Sequence, residues 1–91
     1  MKKILLILII SISLTSYGKS INKEQLHNKN GVYYEINKET PYTGKAIAYY
    51  KDGQIVGKQN YKNGLENGEW IEYYENGQVK VKENYKNGLI Y

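Results

Sequence analysis

"YYENGQVKVKENYKNG" spans Tyr73–Gly88, and "YYKDGQIVGKQNYKNG" spans Tyr49–Gly64, one 24-residue step earlier. Gly44–Asn67 laid over Gly68–Tyr91 matches Gly44 with Gly68, Ile47 with Ile71, Tyr49-Tyr50 with Tyr73-Tyr74 and Gly53-Gln54 with Gly77-Gln78. It also matches Asn60–Leu65 with Asn84–Leu89. A fixed period of this size marks a repeat architecture in which each copy is one supersecondary unit. Asp52-Gly53 and Asn76-Gly77 are hairpin turn signals, because Gly takes positive φ freely and Asn or Asp tolerates it. The flanks are rich in Tyr, Ile, Val and Trp, which suit strands. Each unit is therefore expected to be a β-hairpin, with Asn63-Gly64 and Asn87-Gly88 turning one hairpin into the next.

Alternation selects the turn. A two-residue turn at Asn76-Gly77 sets Tyr73 opposite Lys80. A three-residue loop, a type I turn with Gly77 as bulge residue, pairs Tyr73 with Val79, Ile71 with Val81 and Glu72 with Lys80. Matched apolar and matched charged pairs each contribute up to about 1 kcal/mol, so the second register is favoured. It predicts one face bearing Ile47, Tyr49, Ile55, Tyr61, Ile71, Tyr73, Val79, Val81 and Tyr85. The opposite face would carry Trp70, Glu72, Tyr74, Lys80 and Lys82, with Trp70 across from Lys82 in cation–π reach.

The pattern Gly-x-x-x-x-Tyr-Tyr-x-x-Gly, then Tyr-Lys-Asn-Gly and Gly-x-Trp, resembles the bacterial variant of the MORN repeat found in YwqK-type antitoxin-like proteins. The resemblance covers residues 31–91: a degenerate opening repeat over 31–43 ("GVYYEINKETPYT"), then repeats over 44–67 and 68–91. It implies an all-β fold, an antiparallel β-meander of repeated hairpins forming an elongated, twisted single-layer sheet. It further implies binding or scaffolding, with no catalytic residues. Ala46 departs from the pattern where the next copy has Trp70, and Tyr91 follows the turn that would introduce another hairpin.

Upstream, Met1-Lys2-Lys3 precedes an apolar run from Ile4 to Leu14, interrupted by Ser11 and Ser13. The run is shorter than the roughly 20 apolar residues a membrane-spanning helix needs. With Ser16 and Gly18 placed before Lys19, residues 1–18 fit a cleavable export signal. Leu14–Gly18 resembles a lipoprotein box in which Tyr17 replaces the lipid-accepting Cys, so lipidation is not expected. Export to the periplasm or medium, with no transmembrane span in the mature chain, is the expected localisation. Residues 19–30, "KSINKEQLHNKN", read as a flexible polar leader with a short strand near Leu26.

The chain has no Cys, which removes disulfides, thiolate catalysis and Cys-based metal sites. Its formal charge is +4; without residues 1–18 it has eleven Lys against nine acids, a net charge of +2. That is too little for nucleic-acid binding, and there is no Arg to read phosphates or guanine edges bidentately. His27 is the sole histidine and has no clustered ligands, so neither a metal nor a cofactor is expected. The glutamates Glu66, Glu69, Glu72, Glu75 and Glu83 suit a solvated sheet face better than a glycosidase pair.

The aromatic residues carry the signal and allow two readings: they are simply the core, since Tyr buries large area, suits strands and keeps its hydroxyl at water, or some of them form a recognition surface. A single-layer sheet leaves rings accessible, and Tyr and Trp are favoured where surfaces bind partners. Trp70, Tyr74 and the equivalent Tyr50, with Lys80 and Lys82, form the candidate binding surface. The partner expected is a protein, an envelope glycan or lipid headgroups. Two functions fit: a non-catalytic exported interaction module of the cell envelope, or an antitoxin-like neutraliser that holds a toxin protein.

Overall fold

The computed structural model describes residues 19–91; the export signal expected over residues 1–18 and the lipoprotein-box-like site at Tyr17 lie outside the described residues. Turn chemistry organises the fold. Tyr50 C=O accepts from Gly53 N–H (3.0 Å) and Tyr50 N–H donates to Gln54 C=O (2.7 Å), and Tyr74 repeats both bonds with Gly77 (2.9 Å) and Gln78 (2.8 Å). Asp52 and Asn76 side chains each accept from the Gln two residues on, at 3.0 Å. These are the expected three-residue loops, with Gly53 and Gly77 at φ +91° and +87°. Asn63-Gly64 and Asn87-Gly88 have positive φ at both residues, the two-residue turn whose twist suits a hairpin. Asn30-Gly31 forms a third such turn.

The strands are β1 (Ser20–Asn22), β2 (Leu26–Lys29), β3 (Val32–Glu35), β4 (Gly44–Tyr49), β5 (Ile55–Lys62), β6 (Leu65–Tyr73), β7 (Val79–Lys86) and β8 (Leu89–Ile90). One six-stranded sheet runs β1-β4-β5-β6-β7-β8, antiparallel except for the parallel β1–β4 pair; β2 and β3 form a separate two-stranded sheet. The molecule is elongated, with extents of 53 × 29 × 28 Å. The all-β, antiparallel meander expected from the repeats is the fold found.

The register departs from expectation beyond the turns. Tyr73 faces Val79 and Tyr49 faces Ile55, as the loops require. A one-residue shift then follows in each hairpin, leaving Lys80 and Val56 as extra residues. The expected pairs Ile71–Val81, Glu72–Lys80 and Trp70–Lys82 are replaced by Ile71–Lys82, Glu72–Val81 and Trp70–Glu83. Because side chains alternate with period two, this slip moves the rest of β7 to the other face. Tyr61, Val81 and Tyr85 therefore share a face with Trp70 and Glu72, and Lys82 joins Ile71.

The core lies on the Trp70 side of the sheet, at its N-terminal end. Tyr61 (3% exposed) packs on Tyr33 (ring centroids 4.9 Å apart) and Tyr42 (6.2 Å), beside fully buried Ala46. Its hydroxyl donates to buried Gln59 at 3.0 Å. Burial pushes the Tyr61 phenol well above its usual range and Tyr42 up to about 12.

Residues 19–30, expected to be a flexible leader, supply β1, a 3₁₀ turn (Lys23–Gln25) and β2. Ile21 and Leu26 pack against the core, so two apolar residues suffice to seat a polar segment. Asn22 caps the 3₁₀ turn by accepting from Glu24 N–H (2.9 Å). The Ala46 departure gains a cause here: Tyr33 stacks on Tyr61 at 4.9 Å, as Trp70 stacks on Tyr85 at 5.2 Å one repeat later. The N-terminal segment supplies the aromatic cover that the first repeat lacks.

Gly77 has no atom within 4 Å of where a Cβ would stand, so its substitution isolates backbone strain. Gly77→Ala is expected to lose about 1 kcal/mol net, the left-handed penalty exceeding the gain from a stiffer unfolded chain. A urea melt equal to or above the parent's would contradict the positive-φ turn.

Candidate binding surface

The five candidate residues do not form one patch. Trp70 is half-buried; its ring lies 5.2 Å from Tyr85, and its Nε1–H donates to Glu72 Oε1 at 3.1 Å. Lys23 of the N-terminal 3₁₀ turn sits over the indole, 5.3 Å from its centroid, and is the cation that sequence reasoning assigned to Lys82. Lys82 lies on the opposite face, 3.5 Å from Glu69. Tyr50 is half-buried, with its hydroxyl donating to Tyr73 C=O (2.9 Å) and tying neighbouring hairpin tips together. Tyr74 is 51% exposed, with Lys80 Nζ 5.9 Å from its ring centroid.

The two faces differ. On the core side, Glu66, Glu72 and Glu83 surround Tyr85, and burial, reinforced by Glu83, Glu66 and Glu72, raises its phenol above the ordinary range. The other side carries Ile47, Tyr49, Ile55, Ile71, Tyr73 and Val79 among Lys45, Lys58 and Lys82. Nothing among the described residues covers this side: Tyr49 is 48% and Val79 53% exposed. A shallow cavity of about 440 Å³ opens there, lined by Gly53, Gln54, Ile55, Lys58, Tyr73 and Gly77. Sequence reasoning found the aliphatic and tyrosine residues of this face but missed Lys45 and Lys58. Lys45 could have been found from simple alternation with Ile47. Lys58 was hidden by the extra residue at Val56.

No group of three or more His, Asp or Glu converges among the described residues, and no helix there is long and apolar enough to cross a membrane. The geometry defines a repeat-built β-meander scaffold with an open face. Residues 42–63 and 66–87 each match the MORN repeat variant, two residues out of phase with the division made above. Over these two segments the chain is similar to MORN repeats, units that generally serve as binding and interaction modules, toward protein or lipid, and form no catalytic family. No curated protein and no solved structure matches the chain at a significant level.

Trp70→Ser is expected to cost roughly 1–3 kcal/mol, because it strips Tyr85 of its partner. Tyr74→Ser should stay within about 0.5 kcal/mol, as exposed substitutions do. Thermal melts of both variants check this; equal losses would mean that Tyr74 is as structural as Trp70.

Proposed function

We propose that this protein is a non-catalytic, exported interaction module of the cell envelope that binds a protein partner through its open sheet face. The observation that carries this reading is the uncovered row of apolar and aromatic side chains among lysines. Large rings left in water on a well-paired sheet are the usual signature of a recognition surface. Tyr74 and Lys80, at the hairpin tip, are proposed to extend the contact, and Tyr50 to hold adjacent tips in register.

Export is proposed from residues 1–18: the Lys pair, the apolar run and the small residues before Lys19. Intact-mass analysis of the protein from its own cells should find a chain beginning at Lys19 outside the cytoplasm. Recovery of the whole Met1–Tyr91 chain in the cytosol would overturn the envelope assignment and favour the toxin-neutralising reading. Affinity capture followed by mass spectrometry tests the binding itself. A partner held by the parent and weakened by Tyr49→Ser supports the face; no partner from any fraction overturns it.

A further inference from the structure

On the open face, residues paired strand to strand form one row: Ile47 opposite Lys58, Lys58 opposite Ile71, and Ile71 opposite Lys82. An apolar side chain alternates with an ammonium across four strands. Lys58 and Lys82 are two strand spacings apart, about 9.6 Å. A polyproline II helix advances about 9.3 Å per three-residue turn, returning every third side chain to the same side. Tyr49 and Tyr73 stand in the next row toward the tips, opposite Ile55 and Val79. Tyr73 also walls the 440 Å³ cavity. Aromatic-lined grooves are the usual seat for such helices, whose preformed shape costs little ordering.

Charge completes the match. The modest net charge conceals a partial segregation, with Glu66, Glu72 and Glu83 on the core side and Lys45, Lys58 and Lys82, joined by Glu69, on the open one. No carboxylate among the described residues pairs with Lys45 or Lys58, and Lys82 forms one exposed ion pair, with Glu69 at 3.5 Å, that a bound carboxylate would share or displace. We infer that the open face binds an extended, acidic, polyproline II-like protein segment, running across the strands with a carboxylate at every third position. Those carboxylates meet Lys58 and Lys82, and the apolar side chains between them rest on Ile71 and Tyr73.

Two other occupants fit less well. A second copy docked by the same face would bring lysines against lysines. A membrane surface would meet hairpin tips carrying Asp52 and Glu75, while Ile55 and Tyr73 line a recess instead of projecting.

The inference rests on the binding-module reading above, and the two can fail separately. The probe is a synthetic peptide of Glu-Pro-Val repeats, titrated into the intact protein beside a Lys-Pro-Val peptide and phosphatidylserine vesicles. The Glu-Pro-Val peptide should bind and the Lys-Pro-Val peptide should not, with amide shifts confined to Ile47, Ile71, Tyr73 and their neighbours. The double variant K58Q/K82Q should bind about tenfold more weakly, the sum of two modest exposed pairs, and keep the parent's melt. Absent binding, shifts on the Trp70 face, or equal affinity in the double variant would overturn the inference. Lysine-dependent binding to vesicles alone would assign the face to lipid, and lysine-dependent self-association would assign it to a second copy. Should the protein capture a cellular partner that K58Q/K82Q does not weaken, the module reading stands and this inference falls.

Discussion

Gly64→Ala is expected to destabilise the protein by about 2–4 kcal/mol, more than the same change at its repeat-equivalent, Gly88. Both glycines hold positive φ, +82° and +85°, at the second residue of an Asn-Gly turn, so both variants bear the left-handed penalty. They differ in what surrounds them. A Cβ at Gly64 would stand 2.4 Å from Val32 Cγ1 and 3.0 Å from both Pro41 Cβ and the Tyr33 carbonyl oxygen. At Gly88 the nearest atom is 3.8 Å away. Gly64 and Gly88 N–H donate alike, to Tyr42 C=O (2.8 Å) and Glu66 C=O (2.9 Å), but Gly64 C=O also accepts from Tyr33 N–H (2.8 Å), which closes the backbone on it. The turn is thereby stitched to the N-terminal hairpin. Paired urea melts should place Gly64→Ala at least about 1 kcal/mol below Gly88→Ala. Equal losses would mean that the N-terminal hairpin does not seat on this turn.

Tyr61→Ala should be more damaging still, at about 3–5 kcal/mol, a large share of what a domain of this size possesses. The ring touches Tyr33 and Tyr42 and lies beside Ala46, and its hydroxyl is the partner of a buried glutamine. Tyr85 holds the same place one repeat on, yet is only half-buried, with Trp70 its sole ring partner among the described residues. Tyr85→Ala should therefore cost about half as much. Tyr61→Phe keeps the packing but leaves Gln59 without its donor, for a loss of about 1 kcal/mol. It also reports on pH. The folded state raises the phenol pKa of Tyr61 and Tyr42, so the unfolded chain ionises first. Parent stability is complete below the ordinary phenol value of about 10 and declines as pH rises through it. Tyr61→Phe should soften that decline; an unchanged alkaline slope would show Tyr61 to be accessible when folded.

The repeats made most of this architecture legible. Twenty-four residues between Tyr73-Tyr74 and Tyr49-Tyr50, and a Gly at each expected turn, were enough to place four strands and both kinds of turn. Two features were not legible, for different physical reasons. The extra residues Val56 and Lys80 interrupt strands whose alternation, Val79-x-Val81 facing Ile71-x-Tyr73, looks unbroken, so an uninterrupted register matched apolar to apolar more neatly than the real one does. That slip exchanged Tyr61 and Tyr85 for Lys82 between faces and joined Trp70 to the wrong cation. The N-terminal segment was hidden by its composition. Ile21 and Leu26 are too few to make a period, and their places are fixed by Tyr61 and Ala46, far along the chain. Ala46 itself was visible as a departure, but its meaning depends on Tyr33 filling the space that Trp70 fills in the next repeat.

The open face, and not the Trp70 face, is the surface proposed to meet a partner. Photo-crosslinking in the cells that make the protein tests it most directly, with the photoreactive side chain placed at Tyr49, which is exposed on that face and 48% accessible. A discrete adduct with another protein is predicted, lost when K58Q/K82Q is added to the same chain. A folded protein that yields no protein adduct from Tyr49, but does yield one from a probe at Tyr85, would contradict the account.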